Sequence, residues 1–180
     1  MIKPFKPFPV FETDRLILRA LVSSDEADIF AMRSHPFMHQ YTDTIPDVEL
    51  KQSSDYIERV QKGIDESQFI LWAIAIKSLN KVIGTVCIWN LDDLLNCGEL
   101  GYGLHPNYHH QGYMKEALSG VIKFGLETMK LSKIEAFTEI NNLDSIHLLD
   151  KLKFKREKVI VEKGHNVPRD YHMAVYYVTP

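Results

Sequence analysis

Cysteines are few and long apolar segments are missing in this chain of 180 residues. The two cysteines, Cys87 and Cys97, cannot build a disulfide framework or fill a structural zinc site alone. No apolar run approaches the roughly 20 residues that a membrane-spanning helix needs. The first twelve residues contain three prolines and no apolar segment typical of a secretory signal. We therefore expect a protein of the reducing cytoplasm.

An excess of positive charge is also missing, because 21 Lys and Arg residues stand against 24 Asp and Glu residues. A chain with this balance has no bulk basic field, so neither nucleic acid nor an anionic membrane is an expected partner. The composition is 45% hydrophobic and 25% charged, which excludes a disordered chain. The length predicts one domain. We place an extended arm at residues 1–11 and the domain at residues 12–180.

The hydrophobic periodicity predicts a mixed α/β domain in the order β-α-α-β-β-β-α-β-α-β-β. The predicted strands cover residues 15–20, 69–76, 82–89, 99–104, 134–140, 154–162 and 170–178. The predicted helices cover about 27–34, 46–64, 112–129 and 144–152, and the second of them begins at Pro46. Residues 90–96 are predicted as a polar loop.

The most informative stretch is ELGYGLHPNYHHQGYMKEAL, residues 99–118, which predicts a strand, a short loop and the start of a long helix. A helix N-terminus exposes unpaired backbone N–H groups and the positive end of the helix dipole, so it can bind an anion. Gly112, at the turn into the helix, would let a phosphate approach the backbone closely. An ordinary turn glycine explains the same residue equally well.

This stretch resembles the acetyl-CoA-binding motif of GNAT acetyltransferases, in which Gln/Arg-x-x-Gly-x-Gly/Ala forms the pyrophosphate loop. It is most similar to the RimJ/RimL branch, which acetylates N-terminal amines of ribosomal proteins and commonly continues Gly-Tyr-x-x-Glu-Ala-Leu. Three further segments match the family in order and spacing: ETDRLILR at 12–19, Ile83-Gly84, and NLDS at 142–145 running on to Phe154. The resemblance covers residues 12–178 and implies a GNAT-like fold, a mixed, twisted sheet with helices on both faces.

The chain departs from the family pattern at four positions. In the loop motif, His109 replaces Gln or Arg and Met114 replaces Gly or Ala. Lys153 stands where a helix-ending glycine is usual. The tyrosine that many members use as a general acid would fall at Leu149, which cannot donate a proton.

The resemblance implies acetyl-CoA as co-substrate and a set of residues that bind it. The strand edge at Tyr102, Gly103 and Leu104 would pair with the pantetheine arm like an added strand. Asn142 would bind the same arm, although it also fits an ordinary helix N-cap. The pyrophosphate would be held by backbone N–H groups of His110, Gln111, Gly112, Tyr113, Met114 and Lys115.

Acetyl transfer to an amine needs a base for the amine proton and a proton or other stabilisation for the leaving thiolate. Glu99 is the candidate base, because it begins the strand that leads to the loop. Alternatively, Glu99 is a strand-edge carboxylate paired with a lysine, or an anchor for the substrate's charge. Ser145 is the candidate acid by resemblance, and hydrogen bonding at a helix start is its alternative.

A metal site is not predicted. His105, His109 and His110 are potential ligands, but adjacent histidines point in different directions. No acidic or cysteine ligand stands at a useful spacing from them.

The predicted function is direct transfer of acetyl from acetyl-CoA to a primary amine, with a protein N-terminus favoured by the resemblance and a ribosomal protein as one such acceptor. One alternative is a small-molecule amine such as a polyamine or an antibiotic. The other is a CoA-binding or interaction module without catalysis. A homodimer is left open.

Overall fold

The computed structural model describes residues 5–180, which form one eight-stranded sheet in the order β1-β2-β3-β4-β5-β6-β8-β7. Its strands are β1 (Phe11–Glu12), β2 (Leu16–Arg19), β3 (Ile70–Ile76), β4 (Lys81–Asp92), β5 (Cys97–Leu104), β6 (Lys133–Glu139), β7 (Lys155–Lys163) and β8 (Asp170–Val178). The helices are α1 (Glu26–Arg33), α2 (Leu50–Asp65), α3 (Tyr113–Lys123) and α4 (Leu143–Lys151). The predicted mixed α/β class is confirmed.

The helices cover both faces of the sheet, as predicted. On one face, Leu118 of α3 and Leu149 of α4 belong to the same apolar cluster as Trp72 and Leu100 of the strands. On the other face, the cluster joins α1 and α2 to the opposite side of β3. Every residue of β3 except Ile76 is buried, which explains its unbroken apolar run.

The sheet opens between β5 and β6, its one parallel pair of strands. Pairing joins only Cys97, Gly98 and Glu99 to β6, and the last partner pair is Glu99 with Glu135. Beyond this point β5 pairs with β4 alone, and β6 pairs with β8. One edge of the second half of β5 is therefore left without a strand partner, and the chain continues from there into α3.

Strand β1 is missing from the predicted order. It pairs Phe11 with Leu18 and Glu12 with Ile17, and so crosses the predicted boundary between the arm and the domain. Within the arm, the Pro9 carbonyl accepts a hydrogen bond of 2.7 Å from the Trp72 indole. The division into arm and domain remains a prediction, and residues 1–4 of the arm lie outside the described residues.

The prediction that the second helix begins at Pro46 is wrong, because α2 begins at Leu50. The Asp47 carboxylate is buried, and it accepts hydrogen bonds from Arg33 at 2.8 Å and from Ser53 at 2.7 Å. The chain from Pro46 to α2 is thus held by a tertiary ion pair that sequence spacing does not reveal.

Two other element ends differ from prediction. β4 continues to Asp92, so that only the end of the predicted loop at 90–96 forms the turn to β5. The Asp92 carboxylate accepts from the backbone N–H groups of Leu94 and Leu95, which closes this turn. The predicted helix over 112–129 is α-helical to Lys123 and continues as a π-helical turn, Phe124–Thr128. None of the helices described within residues 5–180 has both the length and the apolar character to cross a membrane.

Candidate active site

A cavity of about 810 Å³ lies where β5 and β6 diverge, between the N-terminal ends of α3 and α4. All of the predicted cofactor-binding residues except Gln111 line it: Tyr102, Gly103, Leu104, His110, Gly112, Tyr113, Met114, Lys115 and Asn142. We call this space the first cavity. The fold thus brings the strand, loop and helix start at residues 102–115 together with Asn142, which lies farther along the chain.

The start of α3 presents free backbone donors at this cavity. His110, with φ of 57°, and Gly112, with φ of 81°, are both left-handed and turn the chain into the helix. The first helical hydrogen bond runs from the Glu116 N–H to the Gly112 carbonyl, at 3.1 Å. In the described part of the chain, the N–H groups of Tyr113 and Met114 have no intramolecular acceptor. Such donors, together with the helix dipole, form a site for an anion.

Arg15 anchors this turn to the sheet, a role that the sequence did not reveal. Its guanidinium donates to the Gln111 carbonyl at 3.0 Å and forms a salt bridge of 2.6 Å with Glu116. The same group lies 4.2 Å above the ring of Tyr113. Gln111 does not line the cavity, and its side-chain amide donates to the Asn107 carbonyl at 3.0 Å.

The two departures in the loop motif leave the backbone donors in place. The His109 Nε2 lies 2.8 Å from the Leu104 carbonyl, and because a carbonyl can only accept, this nitrogen carries the hydrogen. His109 therefore ties the loop to the end of β5. The Met114 side chain is buried in the core beneath α3, with 8% of its surface exposed.

A second cavity of about 860 Å³ contains Glu99 and shares Tyr102, Asn142 and Ser145 with the first. Its other charged lining residues are Asp43, Glu139, Glu162 and Lys163, together with the titratable His165. The lining therefore carries an excess of negative charge. Glu99 does not line the first cavity.

The Glu99 carboxyl has a raised pKa. Burial raises the pKa of Glu99 to about 7, while a hydrogen bond from Asn90 lowers it and the charges of Glu162 and Glu135 raise it further. Within residues 5–180 no salt bridge involves Glu99, and Lys133 on the neighbouring strand pairs with Glu135 at 2.5 Å. The roles of Glu99 as base or as an anchor for the substrate's charge both remain predictions.

A pair of hydroxyl groups stands where the two cavities meet. The Tyr102 phenol lies 2.8 Å from the Ser145 Oγ, and both residues line both cavities. Burial raises the pKa of Tyr102 to about 12, although the hydrogen bond to Ser145 lowers it, so the phenol keeps its proton at neutral pH. Sequence reasoning assigned only the backbone of Tyr102 to the site. Leu149 is fully buried in the core.

Asn142 caps α4 as predicted. Its side-chain oxygen accepts from the Ser145 N–H at 3.3 Å. The cap fixes the first turn of α4 at the edge of both cavities, which in turn holds the Ser145 hydroxyl beside Tyr102.

The fold also brings an acidic residue, Asp144, close to His109 and His110, which the spacing along the sequence did not indicate. Potential ligand atoms of His109, His110 and Asp144 lie within 4.8 Å of one another. Side-chain exposures of 77% for His110 and 57% for Asp144, and the nearby positive end of α3, disfavour a tightly held cation. The absence of a metal remains a prediction. His105 makes a local contact, accepting from the Asn107 N–H at 3.3 Å.

Comparison with known proteins agrees with this geometry. The acetyltransferase (GNAT) domain profile matches residues 15–155. The uncharacterized N-acetyltransferase p20 of Bacillus licheniformis is 32% identical over 163 residues, which are 90% of this chain and 86% of that protein. The chain therefore belongs to the GNAT acetyltransferase family. It is an acetyl-CoA-dependent N-acetyltransferase, which removes the non-catalytic alternative.

Solved structures share the fold at low sequence identity. The ribosomal-protein-S5-alanine acetyltransferase of Vibrio fischeri superposes with a TM-score of 0.83 at 19% identity, covering 95% of this chain and 96% of that one. The spermidine N-acetyltransferase of Vibrio cholerae, in complex with CoA and spermine, has a TM-score of 0.79 at 18% identity, with 93% and 96% covered. Proteins with different acceptors thus share this architecture.

Replacing Gly112 by valine tests the anion site at α3. A β-branched side chain at a left-handed position costs about 1–3 kcal/mol, and relief of that strain would move the first turn of the helix. We expect the dissociation constant for acetyl-CoA, measured by calorimetry, to rise about tenfold or more.

Gly120→Ala is the matched control, because Gly120 lies within α3 and an added Cβ there meets no atom within 4 Å. It should bind acetyl-CoA like the unmodified protein. Unchanged binding by a folded Gly112→Val protein would contradict the assignment of the site.

Proposed function

We propose that the protein transfers acetyl directly from acetyl-CoA to the α-amino group of a polypeptide chain, with Glu99 as base and Ser145 as acid. The arrangement of the two cavities is the observation that supports this. The free donors of α3 line the first cavity, Glu99 lines the second, and the Tyr102–Ser145 pair lies at their junction.

In this proposal the first cavity binds the co-substrate, acetyl-CoA. The N–H groups at the start of α3 would hold the pyrophosphate, and the unpaired edge of β5 at Tyr102–Leu104 would accept the amides of the pantetheine arm. The thioester would then reach the junction of the cavities. Asn142 lies beside this path as well as capping α4.

Proton transfers complete the reaction in the second cavity and at the junction. Glu99 takes a proton from the bound ammonium, and the neutral amine attacks the thioester carbonyl. The carbon–sulfur bond of the tetrahedral intermediate breaks, and the Ser145 hydroxyl gives its proton to the leaving sulfur. As the amide forms, the attacking nitrogen loses its second proton, which restores the Ser145 hydroxyl. The Tyr102 phenol, 2.8 Å from Ser145 Oγ, keeps its own proton and orients that hydroxyl.

Direct transfer is favoured over an acetylated cysteine intermediate. Burial raises the pKa of Cys87 to about 12 and also raises that of Cys97. Both thiols are therefore protonated at neutral pH, and a protonated thiol is a poor nucleophile.

An α-amine is easier for Glu99 to deprotonate than a lysine, because the α-amine has the lower pKa. An ordinary α-amino group has a pKa near 8 and a lysine near 10.4, whereas the pKa of Glu99 is about 7. Transfer of the proton to Glu99 thus costs on the order of 1 kcal/mol from an α-amine and about 4–5 kcal/mol from a lysine.

A polyamine is the second candidate acceptor. The second cavity is lined by Glu99, Glu139 and Glu162, and this negative lining would attract a ligand that carries several positive charges. The likeness to a spermidine acetyltransferase agrees with such an acceptor.

A panel of acceptors decides between these candidates, with thiol release as the measurement. We expect kcat/KM for a peptide with a free N-terminus to exceed, by at least about tenfold, that for spermidine and for the same peptide N-terminally blocked but carrying a lysine. Mass spectrometry should place the acetyl group on the α-amine. A higher kcat/KM for spermidine would establish the second candidate instead.

The pH profile of a Glu99→Gln protein tests the base. With a Glu99 pKa of about 7, the unmodified enzyme should lose kcat/KM as the pH falls below 7, because the protonated carboxyl cannot accept a proton. The Glu99→Gln protein should not show this loss at low pH, and its kcat/KM above pH 7 should be lower by about 10²–10⁴-fold. Acetyl-CoA affinity should be unchanged.

Glu135→Gln is the control, because the Glu135 charge raises the pKa of Glu99 without lining either cavity. In Glu135→Gln the fall in kcat/KM should begin at a lower pH, and kcat/KM above pH 7 should be unchanged. If Glu99→Gln still loses kcat/KM as the pH falls below 7, Glu99 is excluded as the base.

A further inference from the structure

A network of hydrogen bonds joins two distant segments beside the second cavity. The Asp43 carboxylate accepts from three successive backbone N–H groups, those of His165 at 2.6 Å, Asn166 at 3.0 Å and Val167 at 2.8 Å. In return, the Asn166 side-chain amide donates to the Asp43 carbonyl at 2.8 Å. We call residues 40–43, together with the β7–β8 turn at residues 164–169, the clasp.

Two further contacts hold the same segments together. The Arg169 guanidinium donates to the Gln40 carbonyl at 2.6 Å, and the Tyr171 hydroxyl donates to the Thr42 carbonyl at 3.1 Å. Arg169 also lies 4.3 Å above the Tyr171 ring. Bonds to a carboxylate are stronger than those between neutral groups, so the three bonds to Asp43 are the central element of the clasp.

The turn itself is tightly built, so it presents its N–H groups in a fixed arrangement. A Cβ added at Gly164 would lie 2.0 Å from the Val167 carbonyl oxygen, so the turn closes only with glycine there. The Gly164 N–H donates to the Arg169 carbonyl at 2.9 Å. Desolvation raises the pKa of Asp43, but the bonds from His165, Val167 and Asn166 outweigh it and keep the pKa below its ordinary value.

The clasp forms a wall of the second cavity. Tyr41, Thr42 and Asp43 line it from one segment, and His165 lines it from the other. Tyr41 and Thr42 also line the first cavity, so the segment passes the junction where Tyr102 and Ser145 meet. Loss of the clasp would release this wall without removing any group that the reaction uses.

We propose that Asp43 is a positioning residue: by holding the two segments of the clasp together, it fixes the wall of the second cavity against which the acceptor amine is placed for Glu99. The inference rests on the proposed function, because it takes the second cavity as the amine site. It adds a specificity determinant that is far from the reacting atoms in sequence, and it predicts that acceptor selection and co-substrate binding can be separated by mutation.

Asp43→Ala is the direct test. With a free-N-terminus peptide as acceptor, we expect the KM for the peptide to rise about tenfold, while the KM for acetyl-CoA changes less than twofold and kcat falls less than the acceptor KM rises. A merely destabilised fold would instead lower the fraction of active enzyme, and with it the apparent kcat, while both KM values stay unchanged.

Two variants serve as references. Asp65→Ala removes a carboxylate that forms an exposed salt bridge with Lys6 and lines neither cavity, and it should leave both KM values unchanged. Asn166→Ala removes the reciprocal bond of the clasp and should raise only the acceptor KM, by about threefold. In the double variant Asp43→Ala/Asn166→Ala the acceptor KM should rise further than in Asp43→Ala, because the Asn166 amide bonds the Asp43 carbonyl, which Asp43→Ala leaves in place.

Amide hydrogen exchange tests the clasp without any turnover. In the unmodified protein the N–H groups of His165, Asn166 and Val167 should exchange slowly, and in Asp43→Ala at least about tenfold faster. Slow exchange in that variant, or an unchanged acceptor KM in a folded variant, would overturn the proposal. If the unmodified enzyme acetylates none of the amines offered, the proposed function fails instead, while the exchange result still reports on the clasp.

Discussion

The separation of β5 from β6 after Glu99 and Glu135 is the constraint on which the site depends. Because pairing stops there, β5 keeps a free edge, α3 begins beside it, and the first turn of α4 lies at the opening. The Tyr102–Ser145 contact crosses the same opening and joins β5 to α4. A fully paired sheet would close the gap, and the donors of α3 and the carboxyl of Glu99 would no longer face connected cavities.

Local sequence patterns predicted the parts of this site that are local in the chain. The strand, loop and helix around Gly112 follow from residue types and spacing, as does the Asn142 cap. Contacts between distant residues were not predictable in this way, because they depend on how the elements pack. The Tyr102–Ser145 pair joins residues 43 apart, and the contact of Asp43 with His165 joins residues 122 apart. The predicted start of α2 was wrong for the same reason, since the Asp47 carboxylate accepts hydrogen bonds from Arg33 and Ser53.

The departures from the family pattern have physical explanations. His109 bonds the end of β5 and Met114 fills the core, so neither removes the main-chain donors that an anion needs. Lys153 has φ of 67°, in the left-handed region, which explains why glycine is usual at that position. The substitutions at His109 and Met114 therefore leave the backbone geometry of the loop, on which the proposed anion site depends, in place.

The most direct test of the account is thermal unfolding with acetyl-CoA, with adenosine as the control ligand. If the first cavity binds pyrophosphate and pantetheine, acetyl-CoA at about 100 times its dissociation constant should stabilise the protein by about 2.7 kcal/mol. For a domain of this size the melting temperature should rise by about 5–10 °C, and adenosine should have no such effect. An unchanged melting temperature at millimolar acetyl-CoA would contradict the assignment of the first cavity and, with it, the mechanism built on that cavity.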